Sequence, residues 1–281
     1  MTTNQQPTQK PPPPAFNLTY PPSLESYNLP MRAWLTTKSK SWDGLATSAL
    51  VFDRRNRVLL LQRAAHDSMP LLWETPGGAV DDEDASVLVA CARELWEEAG
   101  LEAVQIVRVV SEGKGKEPGS EFTNRTGTVV FRRFAFEVKV QQAEGDELEV
   151  RTDPEEHADH VWASEEEVLR ERVGEKDIPI TNAQMASLIL DGFRRRREEA
   201  VEGGGTLSKG EGGTSSREEI IRQARRKRLE AVGFTNVRGA RGFLPKSSCA
   251  SPRIDSFVGS LSDFFMREHT EFDRPGWVSL A

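Results

Sequence analysis

The chain has 281 residues and a formal net charge of −7, with 37% of its residues hydrophobic and 29% charged. That length holds one large domain or two small ones, but the balance is too polar for a chain folded throughout, so one folded domain with disordered flanks is expected. The acidic balance disfavours nucleic acid as partner of the whole chain, and no apolar run approaches the ~18 residues of a membrane span. Cys91 and Cys249 have neither metal-ligand nor disulfide spacing, and the N-terminus lacks the charged and apolar regions of a signal peptide. A reducing intracellular setting is therefore expected, cytoplasmic by default, with the nucleus as a second option.

Residues 1–40 begin MTTNQQPTQKPPPP. Proline removes backbone donors and favours extended, solvated chain, so this stretch reads as a disordered Pro-rich arm. Pro11 to Pro14 has the composition of a docking ligand, although a plain tail is the simpler reading. The folded domain is expected over 41–200. Ala46 to Asp53 and Val58 to Arg63 read as two strands around a tight turn, and a short strand through Leu72-Trp73-Glu74 leads into Pro76-Gly77-Gly78.

A helix follows, with Asp84 as its expected N-cap and Val87, Leu88, Cys91 and Leu95 as its buried stripe. Gly100 fits the left-handed position that stops a helix. Strands are expected at about 104–110 and 128–140, with a polar, mobile loop from Gly113 to Asn124 between them. Asp159 to Trp162 reads as a short strand. Ser164 with Glu167 has capping-box spacing, and a last helix over 181–200 carries Met185, Leu188, Ile189 and Phe193 on one side. Beyond it, 201–216 is a Gly/Ser-rich linker by composition, and 217–281 holds a basic amphipathic helix around Arg225 and an unassigned tail.

The most informative residues lie in the first long helix. Glu94, Glu97 and Glu98 stand at i, i+3 and i+4, on one face and within one turn. Like charges so placed repel unless a cation sits among them. A hard divalent ion with oxygen ligands is the natural candidate, and Mg2+ held this way usually carries phosphate oxygens too. The bland alternative is a solvated helix face, since Arg93 and Glu97 four apart are a common surface pair.

Arg93-Glu94-Leu95-Trp96-Glu97-Glu98-Ala99-Gly100-Leu101 resembles the second half of the Nudix box, GX5EX7REUXEEXGU, in which U is a bulky aliphatic residue. The first half departs from it. Strict spacing puts Ala79 and Ala85 on the glycine and the first glutamate. One extra residue before Arg93 puts Gly78 and Asp84 there instead, with Asp in place of Glu. The second reading is preferred because Pro76-Gly77-Gly78 resembles the PGG that precedes this helix in the family.

The resemblance spans roughly residues 42–200. It implies a Nudix-like α/β/α sandwich with a mixed sheet, and an Mg2+-dependent (or Mn2+-dependent) hydrolase that cleaves the diphosphate of a nucleoside diphosphate linked to a second group. It places Glu94, Glu97 and Glu98 as metal ligands and catalytic acids, with Glu94 as first choice of general base and Arg93 as their support. A later loop often adds a ligand in this family, which makes Glu155 and Glu156 candidates, Glu156 preferred. His157 and His160 read as bystanders. Arg63 could contact phosphate or sit in a salt bridge, and Gly77 and Gly78 let the backbone approach substrate and metal. Trp73 reads as core.

The partner implied is a nucleotide-like diphosphate small molecule. Arg194 to Arg197 and the helix near Arg225 offer the competing reading of nucleic-acid contact, with solvated helix faces the simpler one. A second functional reading is a silent Nudix-fold module that binds a nucleotide or a protein. The altered spacing at Asp84 favours it, and the retained RELWEE core opposes it.

Overall fold

The computed structural model describes residues 13–39, 41–124, 126–142 and 147–203. Its strands run β1 (Gly44–Val51), β2 (Val58–Arg63), β3 (Trp73–Glu74), β4 (Ala103–Val110), β5 (Ser120–Thr123), β6 (Val130–Val140), β7 (His157–Ala163), β8 (Arg172–Val173) and β9 (Lys176–Asp177). The helices are α1 (Met31–Thr36), α2 (Val87–Ala99), α3 (Glu165–Arg170) and α4 (Ala183–Gly203), with a 3-10 turn at Pro22–Tyr27. The architecture is α/β, as expected, but its strands divide between sheets. A mixed sheet is centred on β6, which runs parallel to β1 and antiparallel to β4 and β5. β2, β3 and β7 form a separate antiparallel sheet, and β8 and β9 a short hairpin.

Every residue of β1 is buried, because both faces of its sheet are covered. Leu45, Ala49 and Val51 face α2, where they pack with Val87, Cys91, Leu95, Phe134 and Phe136. Leu50 points to the opposite face and packs with Ala135, Val110 and Leu188 of α4. Further along α4, Met185, Ile189 and Phe193 close over Val58, Leu60 and Trp73. Residues 76–80 run along the free edge of β1: Ala49 N donates to Pro76 O at 2.7 Å, Thr47 N to Gly78 O at 2.8 Å and Val80 N to Leu45 O at 3.0 Å. The glycine turn is thus fastened to the most buried strand.

Three readings of the sequence need correction. Residues 13–39 are not a disordered arm. Leu24, Met31 and Trp34 are buried, Tyr27 and Trp34 meet Phe134 edge-on, and Leu29 O accepts from Val87 N at 3.0 Å. The Pro-rich start was extended too far along the chain, where the prolines at 21, 22 and 30 stand at helix starts. The loop from Gly113 to Asn124 contains β5, which extends the edge of β6 beyond β4.

The N-cap of α2 is Ser86, whose hydroxyl accepts from Val89 N at 3.2 Å, and not Asp84. Gly100, Ser164 with Glu167, and the apolar stripes of α2 and α4 stand as expected. Helix α4 runs through the first three residues assigned to the linker. The rest of that linker, the basic helix and tail, Cys249 and the chain before residue 13 lie outside the described residues.

Replacing Trp34 with Ala removes a 3%-exposed side chain from this core. It should cost about 3–5 kcal/mol of stability, read from urea denaturation. A loss under about 1 kcal/mol would show that the N-terminal segment is not part of the folded unit.

Candidate active site

The site forms where α2 passes beneath the glycine turn. Gly77 has φ +150°, and a Cβ there would collide with the Thr47 carbonyl oxygen. At Gly78 a Cβ would stand 2.7 Å from Glu94 Oε2. Gly77 needs glycine because its backbone lies against that of β1, whereas a side chain at Gly78 would displace the Glu94 carboxylate.

Arg93 organises the acids of α2. Its guanidinium donates to Glu94 Oε1 at 3.0 Å, to Glu97 Oε2 at 2.9 Å and to both oxygens of Asp84 at 3.0 and 2.9 Å. It also donates to the Ala79 carbonyl at 2.9 Å. Asp84 is therefore the acid that matches the first half of the box, joined to Arg93 by a two-pronged pair. Burial would depress the Arg93 pKa, but these carboxylates raise it above the ordinary arginine value.

Glu94 and Glu98 are buried, at 3% and 7% exposure. Burial pushes the Glu94 carboxyl up to about 8, with Glu97 adding to the rise and Arg93 opposing it. Burial also raises Glu98 well above the usual carboxylate range, helped by the charge of Glu94 and opposed by the hydrogen bond from Gly77 N, 2.6 Å from Glu98 Oε2. Two buried acids with raised pKa values form a strong demand for positive charge.

The three helix glutamates do not meet at one point. Glu94 and Glu97 turn to Arg93, whereas Glu98 meets Glu156 and His157, and ligand atoms of these last three all lie within 4.8 Å of one another. His157 Nε2 is 3.9 Å from Glu98 Oε1. The loop acid preferred from sequence, Glu156, thus reaches the cluster. His157, read as a bystander, is buried beside it at the start of β7, while His160 lies further along that strand. Register explains the arrival of His157, because β7 pairs with β2 so that His157 stands opposite Arg63.

A small cavity here is lined by Arg63, Glu74, Gly77, Glu98, Glu156 and His157. Arg63 pairs with Glu74 and, at 2.5 Å, with Asp67, so both terminal nitrogens of its guanidinium are engaged in salt bridges. Sequence reasoning gave Glu74 no role; a two-residue strand has no alternation to mark it, and its place just before Thr75-Pro76-Gly77 was the available signal. Trp73 is core, fully buried.

A glycine turn clamped over a glutamate-bearing helix, on a mixed sheet between helices, defines a Nudix-type fold. The family model described as NUDIX domain matches residues 42–184, half of the chain, and the chain belongs to this family. It is 32% identical over 138 residues to the CTP pyrophosphohydrolase of Escherichia coli (strain K12), across 49% of this chain and 89% of that protein. A MutT protein from Methanosarcina mazei Go1 is similar at 24% identity, covering 58% of this chain and 99% of the other, with a TM-score of 0.39. The Escherichia coli ORF135 protein is similar at 23% identity, covering 56% and 94%, with a TM-score of 0.41.

The raised pKa of Glu94 has a defined sign. The folded protein holds this proton more tightly than the unfolded chain, whose carboxyl titrates near 4.5, so ionising it on folding costs stability. That cost grows as pH rises from about 5 to 8. The melting temperature of metal-free protein should fall across this window, and millimolar Mg2+ should restore more of it at pH 8 than at pH 5. Glu94→Gln should flatten the profile; an unchanged slope in that variant would remove Glu94 as its source.

Proposed function

We propose that this NUDIX pyrophosphohydrolase cleaves the diphosphate linkage of a nucleoside diphosphate joined to a second group, using Mg2+ held by the α2 acids and Glu156. The observation that carries the reading is the convergence of Glu98, Glu156 and His157 beside the Gly77-Gly78 turn. The donor set fits the ion. Carboxylate oxygens suit Mg2+, and the imidazole nitrogen of His157 either orients Glu98 or extends the site to Mn2+. When bound, the ion neutralises diphosphate charge and lowers the pKa of a water.

The remaining steps belong to side chains of the chain itself. Glu98 and Glu156 would hold the ion, with Gly77 N fixing Glu98 Oε2 and His157 Nε2 lying 3.9 Å from Oε1. Glu97, the most exposed of the three helix glutamates, is turned to Arg93 and would have to leave that pair to join the ligand set. Glu94 Oε1 is tied to Arg93, while Oε2 lies against Gly78. That second oxygen, the one not tied to Arg93, is the one assigned to take the proton of the attacking water. Arg63 keeps Glu74 in place at the back of the cavity. Gly78 brings backbone, with no side chain, beside the reacting diphosphate.

The competing reading of a silent binding module rested on the altered spacing at Asp84. Asp84 nevertheless grips Arg93 with both oxygens, so the departure does not loosen the cluster. The nucleic-acid reading of Arg194 to Arg197 also loses ground. Each guanidinium has a carboxylate partner: Arg194 and Arg195 pair with Asp191, Arg196 with Glu137 and Arg197 with Glu165. Among the described residues no helix is long and apolar enough to cross a membrane. Cytoplasmic placement remains part of the proposal.

The test is phosphate or diphosphate release with and without Mg2+. CTP comes first, on the strength of the Escherichia coli relative's name, followed by other nucleoside triphosphates, nucleotide sugars, dinucleoside polyphosphates and oxidised nucleotides. Metal-dependent turnover of at least one is expected. Glu98→Gln keeps the side-chain volume and an acceptor for Gly77 N, and should lower kcat by at least about 100-fold with the melting temperature retained. Near-normal kcat in that variant would remove Glu98 from the metal site.

A further inference from the structure

Arg133 lies in the middle of β6 and has no role in the account above. Register fixes its direction. It pairs with Ala46 of β1 and with Ser120 of β5, and Ala46 in turn bridges Ala79, next to the glycine turn. Its neighbours two residues on, Ala135 and Glu137, share its face, opposite the face that carries Phe134 and Phe136 onto α2. The guanidinium lies over the Phe122 ring, 4.8 Å from its centroid, and Phe122 stacks on Phe131 across the β5–β6 pair at 5.4 Å and 15°.

Arg133 is an exception among the arginines around the site. Arg93 and Arg63 are bound into carboxylates, and Arg132, the next residue, pairs with Glu121 and donates to the Pro118 carbonyl. Among the described residues no hydrogen bond or ion pair reaches the Arg133 side chain, although it is partly buried. It stands within electrostatic reach of Glu74, Arg63 and Glu98. Burial lowers its pKa from the ordinary arginine value, with the two acids opposing and Arg63 assisting, yet guanidinium stays charged at any working pH. A partly buried cation without a hydrogen-bonded partner is costly unless an anion meets it. The nearby acids Glu74 and Glu98 are engaged by Arg63 and Gly77, and among the described residues no carboxylate forms an ion pair with Arg133, which leaves its donors able to take an incoming anion.

We propose that Arg133, resting over the Phe122 ring, is a phosphate-binding residue of the substrate site, receiving oxygens of the diphosphate from the β6 side. This rests on the diphosphate-cleaving function argued above and adds to it a residue outside the box, on the central strand of the mixed sheet. The ring contact matters because a guanidinium already seated over a ring loses little further freedom when its donors pair with phosphate oxygens. On this proposal the acids take the cation, and Arg133 takes the diphosphate oxygens that the cation leaves uncovered.

The test uses the full chain and two readouts. Inorganic diphosphate with Mg2+ is titrated calorimetrically into wild type, Arg133→Gln and Arg133→Lys, and KM and kcat are measured on whichever substrate wild type turns over. Arg133→Gln should bind diphosphate about 10- to 100-fold more weakly and raise KM by a similar factor, with a smaller fall in kcat and an unchanged melting temperature. Arg133→Lys should lie between the two, since it restores the charge without the fork. Diphosphate binding and KM in Arg133→Gln within twofold of wild type would overturn the assignment, whatever happens to kcat. A kcat loss with an equal fall in melting temperature and no change in diphosphate affinity would overturn it too, by showing a structural role. If wild type turns over no substrate while Arg133→Gln still loses diphosphate, the phosphate site stands and the hydrolase reading fails.

Discussion

Buried like charges stay together only where something opposes them, and in this protein the guanidinium of Arg93 does so. It reaches Asp84, Glu94, Glu97 and the Ala79 carbonyl at once, which needs the five donors and planar fork of arginine. A lysine ammonium could not span them. Through these bonds a single side chain ties the loop after the glycine turn to the helix below it. Glu94 is thereby set beneath Gly78, and Glu98 is left to turn the other way. The placement of the remaining acids follows from that fork.

The electrostatic logic extends outward from it. Burial raises Glu94 and Glu98, so the site holds more acid than its own cation can balance. Glu74 adds to this and is met by Arg63. The arrangement suits a divalent ion, and the guanidinium of Arg133, resting on Phe122, lies within electrostatic reach of the same acids. Ion pairs elsewhere are of a different kind. Asp191, fully buried as a side chain, takes Arg194 and Arg195 and accepts from Ser111 N, and Glu137 takes Arg108 and Arg196. These networks close within the chain and fasten α4 to the mixed sheet. They have no charge to spare for a ligand.

Much of this was readable from the residues alone. The trio Glu94, Glu97 and Glu98 with Arg93, the Pro-Gly-Gly turn ahead of it and the apolar stripe of α2 lie within some twenty-six residues, so local spacing carries them. The same holds for Ser164 with Glu167 and for Gly100, where one side chain or one φ value decides the outcome. The Pro-rich start failed for a related reason. Proline reports that a backbone donor is missing and says nothing about whether Leu24, Met31 and Trp34 find a surface to bury against. That surface is supplied by Phe134 and Phe136, about a hundred residues later.

The sequence by itself determined the family, the helix that carries the acids and the pairing of Arg93 with Glu97, because each depends on neighbours a turn or less apart. The tertiary structure alone decided which acids converge. Glu98 meets Glu156 and His157 only because β7 pairs with β2 in one register, and Arg133 shares a face with Ala135 and Glu137 beside Ala46 only because β6 lies beside β1 in another. Strand register is set by burial over the whole sheet, and a shift of one residue would turn each of these side chains to the opposite face.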